Sequence, residues 1–236
     1  MKGNWAGFWL WIFAVGEAFA QNPSRAAPGL FVRISYGYNF FLGADSLSTT
    51  IRGFGSTSPG LTAGVRYYFG KFYVAAGAGM QHFEYRFSET RLPFSDGEIF
   101  SAPRDETHGR RGQKSKISWF AARLAPELGF TFNKFNLALI GHTDFLIHAR
   151  HKYKYRSDDE GTISRILIGN RHLHTLAYKA GFTLAADYLG MGIYATWFPT
   201  PVFGPDGPRF SSFQAGISLT AELARTSYWI RKDRKT

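Results

Sequence analysis

An all-β, eight-stranded antiparallel up-and-down barrel is the fold that this sequence predicts, and three observations lead to it. Apolar residues alternate with small or polar ones along eight segments of the chain, which is the period of a β-strand. No segment shows a sustained apolar period of 3.6 residues, the mark of an amphipathic helix. The connections between segments alternate between two residues and many, as they do when all the tight turns lie at one end of a barrel.

The eight predicted strands share one face pattern. In the first strand Leu30, Val32 and Ile34 alternate with Phe31, Arg33 and Ser35. One face of each strand is almost purely apolar, and the other carries glycine, small polar residues and isolated charges. The small residues at 75–79 occupy both faces of the third strand, a pattern that suggests a β-bulge. The predicted strands span 30–40, 60–69, 72–86, 117–132, 135–149, 174–188, 191–202 and 210–224.

The connections predict which end of the barrel faces which side. Three are tight turns: Gly70-Lys71, Asn133-Lys134 and Leu189-Gly190. Glycine at the first central position suits a type II′ hairpin, and asparagine tolerates the left-handed conformation that a type I′ turn requires. The other connections are long and span 41–59, 87–116, 150–173 and 203–209. Short periplasmic turns with long extracellular loops are the arrangement of a transmembrane barrel in the outer membrane.

The composition of the polar face indicates that it lies inside. It has too few charges for eight solvated strands, and it suits a narrow lumen filled by its own side chains. A secreted barrel with the apolar face inside is the alternative. Aromatic residues also crowd around the tight turns, where a transmembrane barrel carries an interfacial girdle. The predicted girdle residues are Tyr67, Phe69, Phe72, Tyr73, Phe130, Phe132, Phe135 and Tyr188.

Composition and charge narrow the class of protein. The 236-residue chain has no cysteine, which excludes a disulfide framework and thiolate chemistry. Its net charge of +11 is typical of proteins that bind nucleic acid or an anionic membrane surface. The distribution of charge along the chain must decide between the two.

The N-terminal segment favours the membrane. Lys2, the apolar run 5–15 and Ala18-Phe19-Ala20 have the layout of a cleaved secretory signal peptide, with a buried helix as the alternative. Its removal takes away one lysine and one glutamate, so the net charge stays at +11. An exported chain does not meet nucleic acid. The predicted organisation is a signal peptide at 1–20, a periplasmic segment at 21–29, the barrel at 30–224 and a basic periplasmic tail at 225–236.

Two hairpins carry a resemblance to a known family. The stretches "GLTAGVRYYFGKFYVAAGAGMQHFEYRF" (60–87) and "FTFNKFNLALIGH" (130–142) resemble the small Gram-negative outer-membrane β-barrel proteins of the OmpA/OmpX type. The resemblance is one of pattern over nearly the whole exported chain. It implies the fold and an outer-membrane location. It implies little about activity, because that family includes adhesins, anchors and subunits of larger complexes.

Charged residues on the inward face are the first candidate site. A buried charge without a partner is costly, so these groups are expected to form an ion-pair network that fills the lumen. Conduction of ions or small solutes through the barrel is the alternative function. The predicted network comprises Arg33, Arg66, Arg123, Glu127, His142, Asp144, Lys179, Asp187 and Glu222.

Catalytic, metal and cofactor sites are not predicted. The histidines between 142 and 174 lack a metal-binding spacing. A lipid-modifying enzyme using His142 and Asp144 is the second alternative function, but Thr143 lies on the opposite face and no G-x-S-x-G elbow occurs.

The basic stretches at 104–116 and 150–156 are the second candidate site. Arginine and lysine bind phosphate well, and in an outer loop the nearby anions belong to lipopolysaccharide. We therefore expect a non-enzymatic structural or accessory subunit of a larger outer-membrane assembly, whose basic loops contact lipopolysaccharide or a partner protein, and not nucleic acid. The predicted contact residues are Arg104, Arg110, Arg111, Lys114, Lys116, Arg150, Lys152, Lys154 and Arg156.

Overall fold

The structure is a computed structural model, and it describes residues 27–42, 56–87, 91–93, 99–101, 114–157, 161–168, 176–201 and 211–225. No helix in these ranges is long and apolar enough to cross a membrane. The predicted signal peptide lies outside them, as do residues 226–236. The strands are β1 (Ala27–Leu42), β2 (Thr57–Phe69), β3 (Phe72–Phe87), β4 (Arg91–Pro93), β5 (Ile99–Ser101), β6 (Lys114–Phe132), β7 (Phe135–Ser157), β8 (Gly161–Ile168), β9 (Tyr178–Tyr188), β10 (Met191–Phe198) and β11 (Ser211–Arg225).

Eight of these strands form a closed antiparallel barrel, which confirms the predicted fold. Around the barrel the order is β1, β2, β3, β6, β7, β9, β10 and β11, and β11 pairs back with β1. Each strand therefore has a neighbour on both sides, and the barrel has no open edge. The remaining strands lie between barrel strands in the chain: β8 pairs with the outer part of β7, and β4 pairs with β5.

The apolar face of the barrel points outward. Leu184 and Ile193 are 66% and 67% exposed, whereas Arg66 and Glu127 are each 2% exposed. A water-soluble barrel would show the reverse distribution. The outward residues form a belt that reaches Met80, Ala122 and Phe145, which are neighbours across β3, β6 and β7.

Two long connections are shorter than predicted. The strand register of β6 and β7 continues to the pair Lys114 and Lys154. Residues 114–116 and 150–156, predicted to lie in loops, therefore belong to strands that extend beyond the apolar belt. Strand propensity depends strongly on context, so pairing with a neighbouring strand can override the basic composition of these residues.

The register shifts of the barrel differ from the predicted bulge. Pairing is continuous through 75–79 on both sides of β3, so the prediction of a bulge there was wrong. The small residues on both faces of 75–79 instead reflect the limited space for side chains at this part of β3. Shifts occur at Leu30/Phe31 and at Phe120/Ala121. In the second, Phe120 pairs with His148 and Ala121 with Leu146, so Ile147 is the extra residue.

The three tight turns place left-handed residues where a hairpin needs them. Gly70, Asn133 and Leu189 have φ angles of 67°, 53° and 54°, and Gly190 follows with 85°. A positive φ at both central residues is the type I′ pattern, which the Leu189-Gly190 turn adopts. Leucine is an unfavourable residue for this conformation.

Candidate functional site

The carboxylate of Glu127 is the centre of a polar cluster in the periplasmic half of the lumen. Arg33 donates to both of its oxygens, at 2.8 and 3.1 Å. Arg66 donates to Glu127 Oε1 at 2.9 Å, and the Tyr73 hydroxyl donates to the same atom at 2.6 Å. These four side chains come from β1, β2, β3 and β6. One buried carboxylate therefore links four strands across the lumen.

Two further carboxylates complete this cluster. Arg66 Nη1 donates to Glu222 at 3.1 Å, and the Tyr68 hydroxyl also bonds Glu222. Asp187 Oδ2 lies 4.0 Å from Arg33, and its other oxygen accepts a hydrogen bond from the Ser218 hydroxyl at 3.1 Å. The Glu222 side chain is 31% exposed, which puts it at the rim of the cluster. The cluster thus holds two arginines and three carboxylates.

A second group of polar contacts lies toward the extracellular end. Arg123 donates to both oxygens of Asp144, at 2.6 and 2.8 Å. His142 Nε2 is 2.8 Å from the Thr183 hydroxyl. His142 and Asp144 both face the lumen, but the Asp144 oxygens are taken by arginine and not by histidine.

Lys179 occupies an aromatic cage above this group. Its Nζ donates to the Tyr85 hydroxyl at 2.8 Å and lies 3.6 Å from the centre of the Phe198 ring. The Phe83 ring is 4.3 Å away. Within the described part of the chain, neither Lys179 nor His142 has a carboxylate within 4.0 Å. All nine predicted lumen residues face the interior, and the other seven form ion pairs.

A cavity of about 30 Å³ lies in the lumen beside Arg33, Arg123 and His142, with room for about one or two water molecules. The described residues contain no group of three or more side chains able to hold a metal ion.

The aromatic residues divide between the two faces. Tyr67, Phe72 and Phe132 are exposed on the outer wall near the tight turns, and so are Phe135 and Tyr188. Phe69 and Phe130 are partly exposed. Tyr73 was predicted wrongly as a girdle residue: it is 2% exposed and bonds Glu127. Alternation decides this, because Phe72 faces outward and its neighbour must face inward.

A polar groove of about 370 Å³ lies on the outer wall, where β3, β6 and β7 rise above the apolar belt. Eight of its nine lining residues, together with Arg86 on β3, form three rows that strand pairing sets side by side. Each row lies about 7 Å above the one beneath it. From the belt outward the rows are His82, Phe120 and His148; then Glu84, Ser118 and Arg150; then Arg86, Lys116 and Lys152.

Glu84 holds two of the four cations in these rows. Its carboxylate accepts from Lys116 Nζ and from Arg86 Nε, each at 2.6 Å. Glu84 lies above the belt. Burial acts to raise the pKa of its carboxyl, but the hydrogen bonds and charges of Lys116 and Arg86 lower that pKa by more, so the net pKa lies below its usual range. Arg150 and Lys152 make no ion pair with the described residues. Four cations and one anion leave the rows with a net charge of +3.

The predicted basic residues fall into three groups. Lys116, Arg150 and Lys152 face the groove. Lys114, Lys154 and Arg156 lie on the strand ends above it. Arg104, Arg110 and Arg111 lie outside the described residues. Sequence reasoning missed His82, Glu84 and His148, although the charged and aromatic alternation of "QHFEYRF" at 81–87 already marks a change of outer-face chemistry there.

The outward apolar belt and the filled polar lumen together meet the needs of a chain inserted in lipid, where every backbone group must be paired. The protein is a transmembrane β-barrel of the outer-membrane type.

No protein-family model and no curated protein matches the chain. Among solved structures, the barrel is similar to the crystal structure of Neisserial surface protein A (NspA). The two sequences are 11% identical, and the match covers 84% of this chain and 99% of that chain with a TM-score of 0.44. It is also similar to the β domain of the Bordetella autotransporter Brka, with 13% identity. That match covers 82% of this chain and 99% of that chain, with a TM-score of 0.21. At these TM-scores neither likeness informs the function, and the fold rests on the strand pairing of the barrel itself.

Proposed function

We propose that this protein is a non-enzymatic structural or accessory component of the outer membrane, a closed barrel whose basic outer surface contacts lipopolysaccharide or a larger envelope assembly. The observation that carries the proposal is the Glu127 cluster, in which four strands are tied together across the lumen. A transport protein needs a path for its solute. Here the interior is occupied by side chains that bond one another.

The lumen chemistry also argues against an enzyme. Acyl transfer or hydrolysis needs a base held by an acidic partner and within reach of a nucleophile. Both Asp144 oxygens are bonded to Arg123, and His142 contacts Thr183 in the lumen. Lipid substrates lie on the other side of the barrel wall.

Recordings of the purified protein in planar lipid bilayers test the closed barrel. We expect no steady single-channel conductance, because the cavity of about 30 Å³ is too small for a hydrated ion. A 16-stranded porin in the same bilayers is the positive control. Steady conductance of the wild-type barrel would overturn the closed-barrel proposal and favour transport.

Affinity purification in a mild detergent tests the accessory role. The wild-type protein, carrying a tag in an extracellular loop, is expected to bring down a larger outer-membrane barrel or lipopolysaccharide. A same-tag control barrel expressed at an equal level should not. If the protein elutes alone and free of lipopolysaccharide, the accessory role is wrong.

A further inference from the structure

We propose that the outer-wall groove of β3, β6 and β7 is a binding site for one phosphate group of an outer-leaflet glycolipid, with Arg150 and Lys152 as its anion ligands. This deepens the proposed function, on which it rests for the location of the barrel. It assigns the lipid contact to the wall of the barrel, whereas the sequence predicted that contact in the outer loops.

The groove has cations available for a ligand. Lys116 and Arg86 are engaged by Glu84 at 2.6 Å, so these two are positioned and partly neutralised. Arg150 and Lys152 lie beside them on β7 and make no ion pair with the described residues. An arginine fork and a lysine point charge are the two usual ligands of a phosphate oxygen.

The bulge at Ile147 is what turns these cations outward. Below it, even-numbered residues of β7 such as His142 and Asp144 face the lumen; above it, Ala149 and His151 are buried and Arg150 is exposed. Without the extra residue, the alternation would direct Arg150 and Lys152 into the barrel. Bulges commonly re-aim side chains next to functional sites.

The position of the groove identifies a lipid as the ligand. Its lining side chains lie on the outward face of β3, β6 and β7, directly above the apolar belt. Its lowest row contains Phe120, and exposed Ile147 and Phe145 continue the apolar wall below it. A phosphate bound at Arg150 would therefore have apolar barrel surface directly beneath it, where the acyl chains of the same molecule can lie. A soluble phosphate would use only the upper half of this surface.

Titration of the full-length protein in detergent, followed by native mass spectrometry, tests the site. The probes are bisphosphorylated lipid A and the same lipid after enzymatic removal of its phosphates. We expect the wild type to bind the phosphorylated lipid about tenfold or more tightly than the other, the size expected for charge-assisted hydrogen bonds. Equal affinity for the two lipids would overturn the proposal, and this comparison needs no variant.

Two double variants locate the site. Arg150→Gln with Lys152→Gln should lose the preference for phosphate, while Lys71→Gln with Lys134→Gln removes two charges at the periplasmic turns and should keep it. The charge-conserving pair Arg150→Lys with Lys152→Arg should retain most of it. Folding is checked by the migration of unheated protein in SDS gels. Retention of the preference by the folded Arg150 and Lys152 variant would refute the site.

Two other outcomes separate the sources of failure. If excess inorganic phosphate displaces the lipid, the groove is a general anion site and the assignment to a glycolipid is wrong. Failure of phosphate discrimination in a barrel that does not conduct would remove the groove proposal and leave the closed barrel standing. Phosphate discrimination by a barrel that does conduct would keep the groove proposal and remove the closed-barrel proposal.

Discussion

Glu127 is the residue on which the periplasmic half of the lumen depends. It accepts hydrogen bonds from Arg33, Arg66 and Tyr73 and is itself 2% exposed. Arg66 also lies between aromatic rings, with its guanidinium carbon 4.3 Å from the Tyr73 ring centre. Arg33 and Arg66 thus share Glu127 as a hydrogen-bonded anion. Asp187, also 2% exposed, lies 4.0 Å from Arg33, and Glu222 is partly exposed.

Substituting Glu127→Gln should destabilise the barrel by about 3–5 kcal/mol, because it removes the carboxylate that both buried arginines share and leaves them with the more distant Asp187 and the partly exposed Glu222. Glu222→Gln removes the same charge from a partly exposed position and should cost about 1 kcal/mol or less. Urea unfolding of both variants in lipid vesicles, followed by tryptophan fluorescence, measures the difference. Equal losses would mean that Glu127 is not the centre of the cluster.

Single residues also mark a limit of sequence reasoning. Face alternation is local, so the inward position of Arg33, Arg66 and Glu127 could be predicted from the sequence. Their partners could not, because each bond joins residues on different strands. Tyr73 was misassigned for a related reason: an aromatic ring beside a turn fits the interface and the lumen equally well by composition, and only the alternation from Phe72 decides.

At the scale of elements, the β6–β7 hairpin separates what local patterns determine from what pairing determines. Its turn and its lower strands follow the predicted bounds. Its upper strands continue through basic sequence that local propensity would assign to a loop. The extra residue at Ile147 arises from the register between two strands, which a single strand does not encode. Consequently the outward direction of Arg150 was visible only in the paired barrel.

The Leu189-Gly190 turn gives a prediction at the same scale. Leu189 has a φ of 54°. This left-handed conformation costs most residues with a side chain about 1–2 kcal/mol, whereas glycine and asparagine tolerate it. Leu189→Asn should therefore stabilise the barrel by about 1 kcal/mol in urea unfolding. The reciprocal change Asn133→Leu, at a φ of 53°, should destabilise it by a similar amount. A loss of stability in Leu189→Asn would contradict this, and would mean that leucine contributes more through membrane contact than it costs in strain.

For the whole molecule, the closed-barrel proposal rests on two layers of side chains in series, with the Arg123–Asp144 pair between them. The periplasmic layer is the Glu127 ion-pair cluster. The extracellular layer is the aromatic cage of Lys179, in which the Phe83 and Phe198 rings meet edge to face with centres 5.6 Å apart. The two layers use different chemistry and different residues, so the loss of one does not directly remove the other.

Opening this barrel should therefore require changes in both layers. Arg66→Ser with Glu127→Ser empties part of the first layer, and Phe83→Ala with Phe198→Ala empties part of the second. In planar bilayers each pair alone should remain without steady conductance, because an ion would still meet an intact layer. The four changes together should give steady conductance in protein that still migrates as folded in unheated gels. Conductance from either pair alone would mean that a single layer closes the lumen, and a silent, folded quadruple variant would mean that the remaining side chains suffice to fill it.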